Sequence, residues 1–224
     1  MDNSKPKINS EDIKKELKAA ELEGREANFS GKILPPISFS NRIIKTDLNF
    51  EDTKIEGDFY LIESVLRKNL NLKRAEIKGN LYLAKNEIFG DLIIEKAKIT
   101  GWINLVGTKI IHSLKCTESK ITGFVSFSKT VIGRDINCNR IEVQNLKNQT
   151  GLHIKGDIHL REAKIGGSVN FEEGKVEGGV DCQEATIEGS LNIRNIEVKE
   201  SIILKDSQIK GEKIIEGVKG EIIS

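Results

Sequence analysis

Residues Ala97–Leu105 read A-K-I-T-G-W-I-N-L, and the same pattern returns eleven residues later and eleven residues earlier. Stepping from Ile99 by eleven in both directions meets Ile33, Ile44, Ile55, Leu66, Ile77, Ile88, Ile110, Ile121, Ile132, Val143, Ile154, Ile165, Val176, Ile187, Val198 and Ile209, which with Ile99 make seventeen aliphatic residues with no gap. Four residues after each lies a second apolar slot (Phe59, Leu81, Ile103, Val125), interrupted only by Lys147 and Lys213. Six residues after lies a third (Leu61, Leu83, Leu105, Phe127), interrupted only by Gln149, and two residues before lies a slot for small side chains such as Ala75, Ala97 and Ser119. Alternate residues of a strand point to one side, so each unit contributes two short strand pairs that face inward. Strands this short are stable only when stacked on copies of themselves, which makes the chain a solenoid. The slot two after the aliphatic residue holds Gly at ten of seventeen positions but also Lys68, Arg134 and Glu200. It reads as an outward corner, where Gly is expected for its access to positive φ.

Two units per turn give a coil of 22 residues and three give 33. The 22-residue coil is favoured. Cys116, Cys138 and Cys182 are separated by multiples of 22, as are Ala75, Ala97, Ala163 and Ala185, and Phe39, Phe127 and Phe171. The expected fold is all-β, a parallel β-helix of about eight and a half turns and, at roughly 4.8 Å per turn, on the order of 40 Å long. Small and aliphatic inward positions on successive faces, as in Ala97 with Ile99 and Ile103 with Leu105, resemble the pentapeptide-repeat proteins. That resemblance implies a right-handed β-helix with four faces per coil, here with 22 residues in place of 20. A weaker likeness is to bactofilins, polymer-forming β-helix proteins of the bacterial cytoskeleton.

Residues 1–30 read as a tail and a capping helix, and residues 31–224 as the β-helix domain. Ser10 stands at an N-cap position ahead of Glu11 and Asp12, with Ile13 and Leu17 on one face, so a short amphipathic α-helix is expected to cover the first coil. The other end shows no such cap, which suggests end-to-end dimerisation, or polymerisation if the contact is heterologous. Between Ile141 and Gly151 the inner slots hold Asn145, Lys147 and Gln149, and an outward bulge is expected there. No apolar run approaches the roughly 18 residues of a membrane span, and Met1–Ala20 is too polar for a signal peptide, which points to a cytoplasmic protein.

Thirty-five Lys and Arg against 34 Asp and Glu lack the footprint of a nucleic-acid binder. His112, His153 and His159 have no partner at metal-ligand spacing and read as surface residues. The cysteines fall in inner slots as small hydrophobes, with Cys116 and Cys138 as rung neighbours. Asp47, Asn69, Asp91, Asp135 and Asp157, placed after the corner, are expected to satisfy turn backbone rather than to hold Ca²⁺. No catalytic, cofactor or metal site is expected. One outward feature stands above background: Trp102, Phe124 and Leu146 are 22 apart, with Tyr60 and Tyr82 two slots along and Ile62 and Val106 beside them. This apolar stripe marks a contact surface, covered either by the folded-back N-terminal helix or by another molecule. The first expectation is a non-enzymatic scaffold or self-assembling rod. The alternatives are a protein-binding module, including an inhibitor of a DNA enzyme, and a carbohydrate-active β-helix; near-neutral charge weighs against duplex mimicry.

Overall fold

The computed structural model describes residues 5–147, 153, 154 and 156–224. It is an all-β parallel solenoid of about eight turns with one helix among the described residues, α1 (Ser10–Glu23). Most strands are two residues long and fall into four columns, one per face of the coil. The first face runs through Lys54–Ile55, Glu76–Ile77 and Lys98–Ile99, and the second through Phe59–Ile62, Leu81–Tyr82 and Ile103–Asn104. The third carries Val65–Leu66 and Glu87–Ile88, and the fourth Leu48–Asn49 and Leu70–Asn71. Within each pair the aliphatic member is fully buried, so the core is a stack of like side chains along the axis. Phe29 stacks on Phe50 at 4.7 Å, and Phe50 meets Phe59 edge-on at 5.1 Å.

The slot for small residues also carries buried polar groups, each hydrogen-bonded to backbone. Ser119 Oγ donates to the carbonyls of Cys116 and Ile94, and Asn86 Oδ1 accepts from the Ser64 N–H while its Nδ2 donates to the Leu83 and Leu61 carbonyls. Burial without such partners would be costly, which confines these positions to short side chains that reach a rung carbonyl.

The 22-residue register holds from rung to rung except at three places, the last being a bulge between Glu197 and Ser201, after which Ile202 pairs with Ile222 at an offset of 20. The first coil is one residue shorter: Leu34 pairs with Ile55, so Leu34 and not Ile33 takes the inner slot. Farther along, Val125 pairs with Ile158, Val131 with Lys164, Ile136 with Val169 and Val143 with Val176, an offset of 33 on every face. The extra eleven residues leave the coil as an antiparallel pair, Leu146–Lys147 against His153–Ile154. The expected bulge is therefore a complete extruded unit, and Ile154 is not a rung of the interior. Extrusion also swaps the classes that favoured a 22-residue coil. Cys182 lies in the column of Leu160, opposite that of Cys116 and Cys138, and Phe171, Ala163, Ala185 and Asp157 change columns likewise. The coil length is 22, although these residues are not evidence for it.

The corners also differ from expectation. Among the corner glycines only Gly123 has positive φ. The rest are required by proximity: a Cβ on Gly101 would overlap Asn80 Oδ1 and stand 2.8 Å from the Gly79 carbonyl oxygen. Left-handed backbone occurs instead on the opposite side of the unit, at Asn41, Asp52, Glu63, Arg74, Lys85, Lys96 and Glu118, and among the described residues it recurs at the same slot as far as Asp206. There a tight turn closes when the small-slot N–H donates three residues back, as from Ala75 to Leu72 at 3.0 Å.

Helix α1 seals the first coil, with Ile13, Leu17 and Ala20 buried. Its N-cap is Asn9, not Ser10: Asn9 Oδ1 accepts from the N–H groups of Glu11 and Asp12, and Asp12 returns a bond to the Asn9 N–H. Gly24 closes the helix in the left-handed conformation. The helix lies across the end of the rod against Ala27–Asn28 and does not fold back over the aromatic stripe. The solenoid takes in Ala27–Asn28, which pairs with Leu48–Asn49. No helix among the described residues is long and apolar enough to cross a membrane.

Candidate functional site

Outward positions on the second face alternate with the core residues Phe59, Leu81, Ile103 and Val125. Parallel in-register stacking sets each outward side chain beside its counterpart one rung away. Tyr60 and Tyr82 stack at 4.4 Å with ring planes 5° apart, and Trp102 and Phe124 stack at 5.6 Å with planes 6° apart. Tyr82 meets Trp102 edge-on at 6.0 Å and joins the two stacks into one ladder. The ladder continues to His159, 6.4 Å from Phe124. The sequence missed His159 because the extruded unit places it 33 residues beyond Ser126 rather than 22. Four of the five expected contact residues, Tyr60, Tyr82, Trp102 and Phe124, are thus brought together. Leu146 sits in the extruded strand pair, and its side chain lies outside the described residues.

Mutual stacking leaves these rings half-buried. The Tyr60 hydroxyl donates to Asp58 Oδ2 at 3.1 Å; burial and that carboxylate push its pKa up to about 12. The surroundings are unusual for a chain with 31% charged residues. Across four rungs the outward positions of this face are Asp58, Tyr60, Ile62, Asn80, Tyr82, Ala84, Trp102, Asn104, Val106, Phe124, Ser126 and Ser128. Asp58 is the one charge among them, and its Oδ1 accepts from the Asn80 N–H at 2.6 Å. Beyond the extruded unit the same face becomes ionic, with Asp157, His159 and the Arg161–Asp181 pair at 2.9 Å.

Elsewhere charged side chains are joined rung to rung. Arg74 bridges Asp52 and Glu51 at 2.7 Å each, Lys78 meets Glu56 at 2.8 Å, and Arg140 meets Glu118 at 2.5 Å. The Asp and Asn residues after the corners accept the N–H of the next rung. Asp47 takes that of Asn69, Asn69 that of Asp91, Asp135 that of Ser168 and Asp157 that of Gly179, at 2.7–3.0 Å. These bonds use the acids for backbone, as expected, and no group of three or more ligands for a metal occurs among the described residues. A groove floored by Val143, Val176 and Val198 has carboxylates on its walls, but Glu177 pairs with Lys199 at 2.7 Å and Glu197 with Lys219. The Lys219 hydrogen bond holds Glu197 below the usual carboxylate range, opposite to what a glycosidic general acid needs.

Cys116 and Cys138 are buried rung neighbours in one inner column, with Cα atoms 4.5 Å apart, as expected from their spacing. Cys182 is a buried thiol whose pKa burial pushes up to about 12, which keeps it protonated and unreactive. Comparison with models of protein families, with curated proteins and with solved structures gives no match. The chain is a parallel β-solenoid.

Proposed function

We propose that this chain is a non-catalytic structural rod that assembles side by side with copies of itself through the aromatic ladder. The carrying observation is the contrast between faces. Tyr60, Tyr82, Trp102 and Phe124 form a continuous aromatic strip on a nearly uncharged flat surface, whereas the other faces carry ionic ladders. An uncharged face is compatible with itself, since an isologous contact sets the same patch against its copy with no like charges opposed. Aromatic side chains are the type enriched where proteins meet. Four rungs span only about 15–20 Å, so a single contact is small and assembly becomes visible at high protein concentration.

Electron microscopy and small-angle scattering of the concentrated protein are expected to show laterally associated rods no longer than the monomer. Trp102→Ser with Phe124→Ser is expected to abolish that association while the far-ultraviolet circular dichroism of the β-helix is retained. Lateral assembly that persists in the folded double variant would remove the proposal.

A further inference from the structure

The aromatic ladder changes column along its length. Each rung of the second face presents two neighbouring outward slots, and from the rung of Tyr60 to that of His159 one slot holds a ring and the other a short polar residue. On the first two rungs Tyr60 and Tyr82 take the second slot, beside Asp58 and Asn80 in the first. On the next two, Trp102 and Phe124 take the first slot, beside Asn104 and Ser126 in the second. The fifth returns to Asp157 followed by His159. The corner just before this face is bare, because Gly57, Gly79, Gly101, Gly123 and Gly156 occupy it on those five rungs. On the other flank stand Ile62, Ala84 and Val106.

A second copy fits this surface best in one orientation. Two facing sheets related by a two-fold axis that runs along the rod, between the two slots, exchange those slots on every rung. Each ring then meets a short residue of the copy: Tyr60 meets Asp58, Tyr82 meets Asn80, Trp102 meets Asn104 and Phe124 meets Ser126. Ile62, Ala84 and Val106 come to lie over the glycine corner of the copy, where no side chain obstructs them. An axis through the second slot would set Tyr60 on Tyr60, and one through the first would set Trp102 on Trp102 and Asp58 on Asp58. An axis across the rod between Tyr82 and Trp102 keeps ring against short residue on four rungs. It also carries Asp157 onto Pro36 and His159 onto Ser38, so that a carboxylate is covered by an apolar ring that offers it no hydrogen bond.

We infer that the lateral contact is a parallel, in-register pair, both rods pointing the same way about an axis along their length. The inference rests on the lateral self-association proposed above and fixes its geometry. The fifth rung adds polar contacts to it. Asp157 Oδ1 accepts the Gly179 N–H at 2.7 Å, while Oδ2 stands 4.0 Å from His159 Nε2 of its own chain, beyond hydrogen-bond reach. In the pair each Asp157 faces His159 of the other copy, twice by symmetry, and Arg161 stays bound to Asp181 at 2.9 Å. Two rungs farther on the corner is Glu200 instead of glycine, and the residue brought over it is the exposed Lys205, of opposite charge. Rods paired in register overlap along their whole length, so the contact extends past the four aromatic rungs.

Pulsed dipolar electron resonance on the intact chain, with a nitroxide on one introduced cysteine at a time, tests the orientation. Lys85→Cys, Lys129→Cys and Asp206→Cys put the label at one exposed slot on three well-separated rungs, and the native cysteines are buried away from the reagent. The three label-to-label distances are expected to agree within about 5 Å, because every rung faces itself. An antiparallel pair centred on the ladder would instead spread them over roughly 40 Å along the axis. His159→Asp sets like charges against Asp157 at both symmetric contacts and is expected to weaken association roughly tenfold or more, whereas His159→Lys should hold the dissociation constant within about threefold. Circular dichroism checks the fold of each variant. Unequal label distances in the associated protein, or association indifferent to His159→Asp, would overturn this geometry and leave lateral association standing. A chain that stays monomeric at about 1 mM would remove both.

Discussion

Gly101 and Glu184 show how single residues carry the coil. Gly101 lacks a Cβ because the rung beneath it occupies that space, whereas Glu184 sits at φ 58°, where a side chain is strained and glycine is not. Gly101→Ala is expected to destabilise by about 2 kcal/mol, as overpacking against backbone does. Glu184→Gly should stabilise by up to about 1 kcal/mol, since removal of the strain exceeds the added chain entropy. Urea denaturation of both variants checks the opposite signs, and a loss of stability at Glu184→Gly would discard the strain argument. The glycine period was legible in the sequence, but its cause was not. Spacing alone cannot distinguish a glycine needed for φ from one needed for room. The left-handed positions left no trace in composition, because Glu, Lys, Arg, Asn and Asp occupy them with side chains in solvent.

At the level of elements, the eleven residues between Gln144 and Gly156 form a unit that the coil passes by. Rungs on either side join directly: the Gly123 N–H donates to the Gln144 carbonyl at 2.7 Å, and Val125 stacks under Ile158. Deletion of residues 145–155 would bring Gly156 to the corner above Gly123 with every later rung unmoved. The shortened chain is expected to keep its β-helix spectrum and to melt within a few degrees of the parent, because an extruded surface loop adds little to the core. A collapse in stability would show that the strand pair braces the coil. The polar residues Asn145, Lys147 and Gln149 signalled this departure, but resumption of the count at Ile154 concealed its size. An insertion equal to the repeat cannot be seen by counting repeats. His159 joined the aromatic ladder unannounced for the same reason.

For the molecule as a whole, the outer surface is a set of charge ladders whose effect on stability has a definite pH dependence. Hydrogen bonds from Arg74, Lys78, Arg140 and Lys219 hold Asp52, Glu56, Glu118 and Glu197 below their ordinary carboxylate pKa. Each is more acidic folded than unfolded, so its contribution is complete above the unfolded range and is lost as pH falls through the folded value. The melting temperature is expected to be nearly flat between about pH 6 and 8 and to decline below about pH 4.5. Molar salt should shrink that decline, since these pairs are exposed and screened. Thermal melts across pH at low and high salt read both, and a melting point constant down to about pH 2.5 would show that the ladders are energetically silent.

The extruded unit also sets which compass direction each downstream residue faces. Eleven residues are half a turn of a 22-residue coil, so winding that unit into the wall would rotate everything after Gly156 by half a circumference. Tyr82, Trp102 and Phe124 would keep their bearing while His159 and the Arg161–Asp181 pair moved to the far side. In a tube of this pitch, gain or loss of a single repeat exchanges opposite walls, and gain or loss of two preserves them. Casting one repeat outward lets the chain lengthen by an odd number of units with its bearings unchanged.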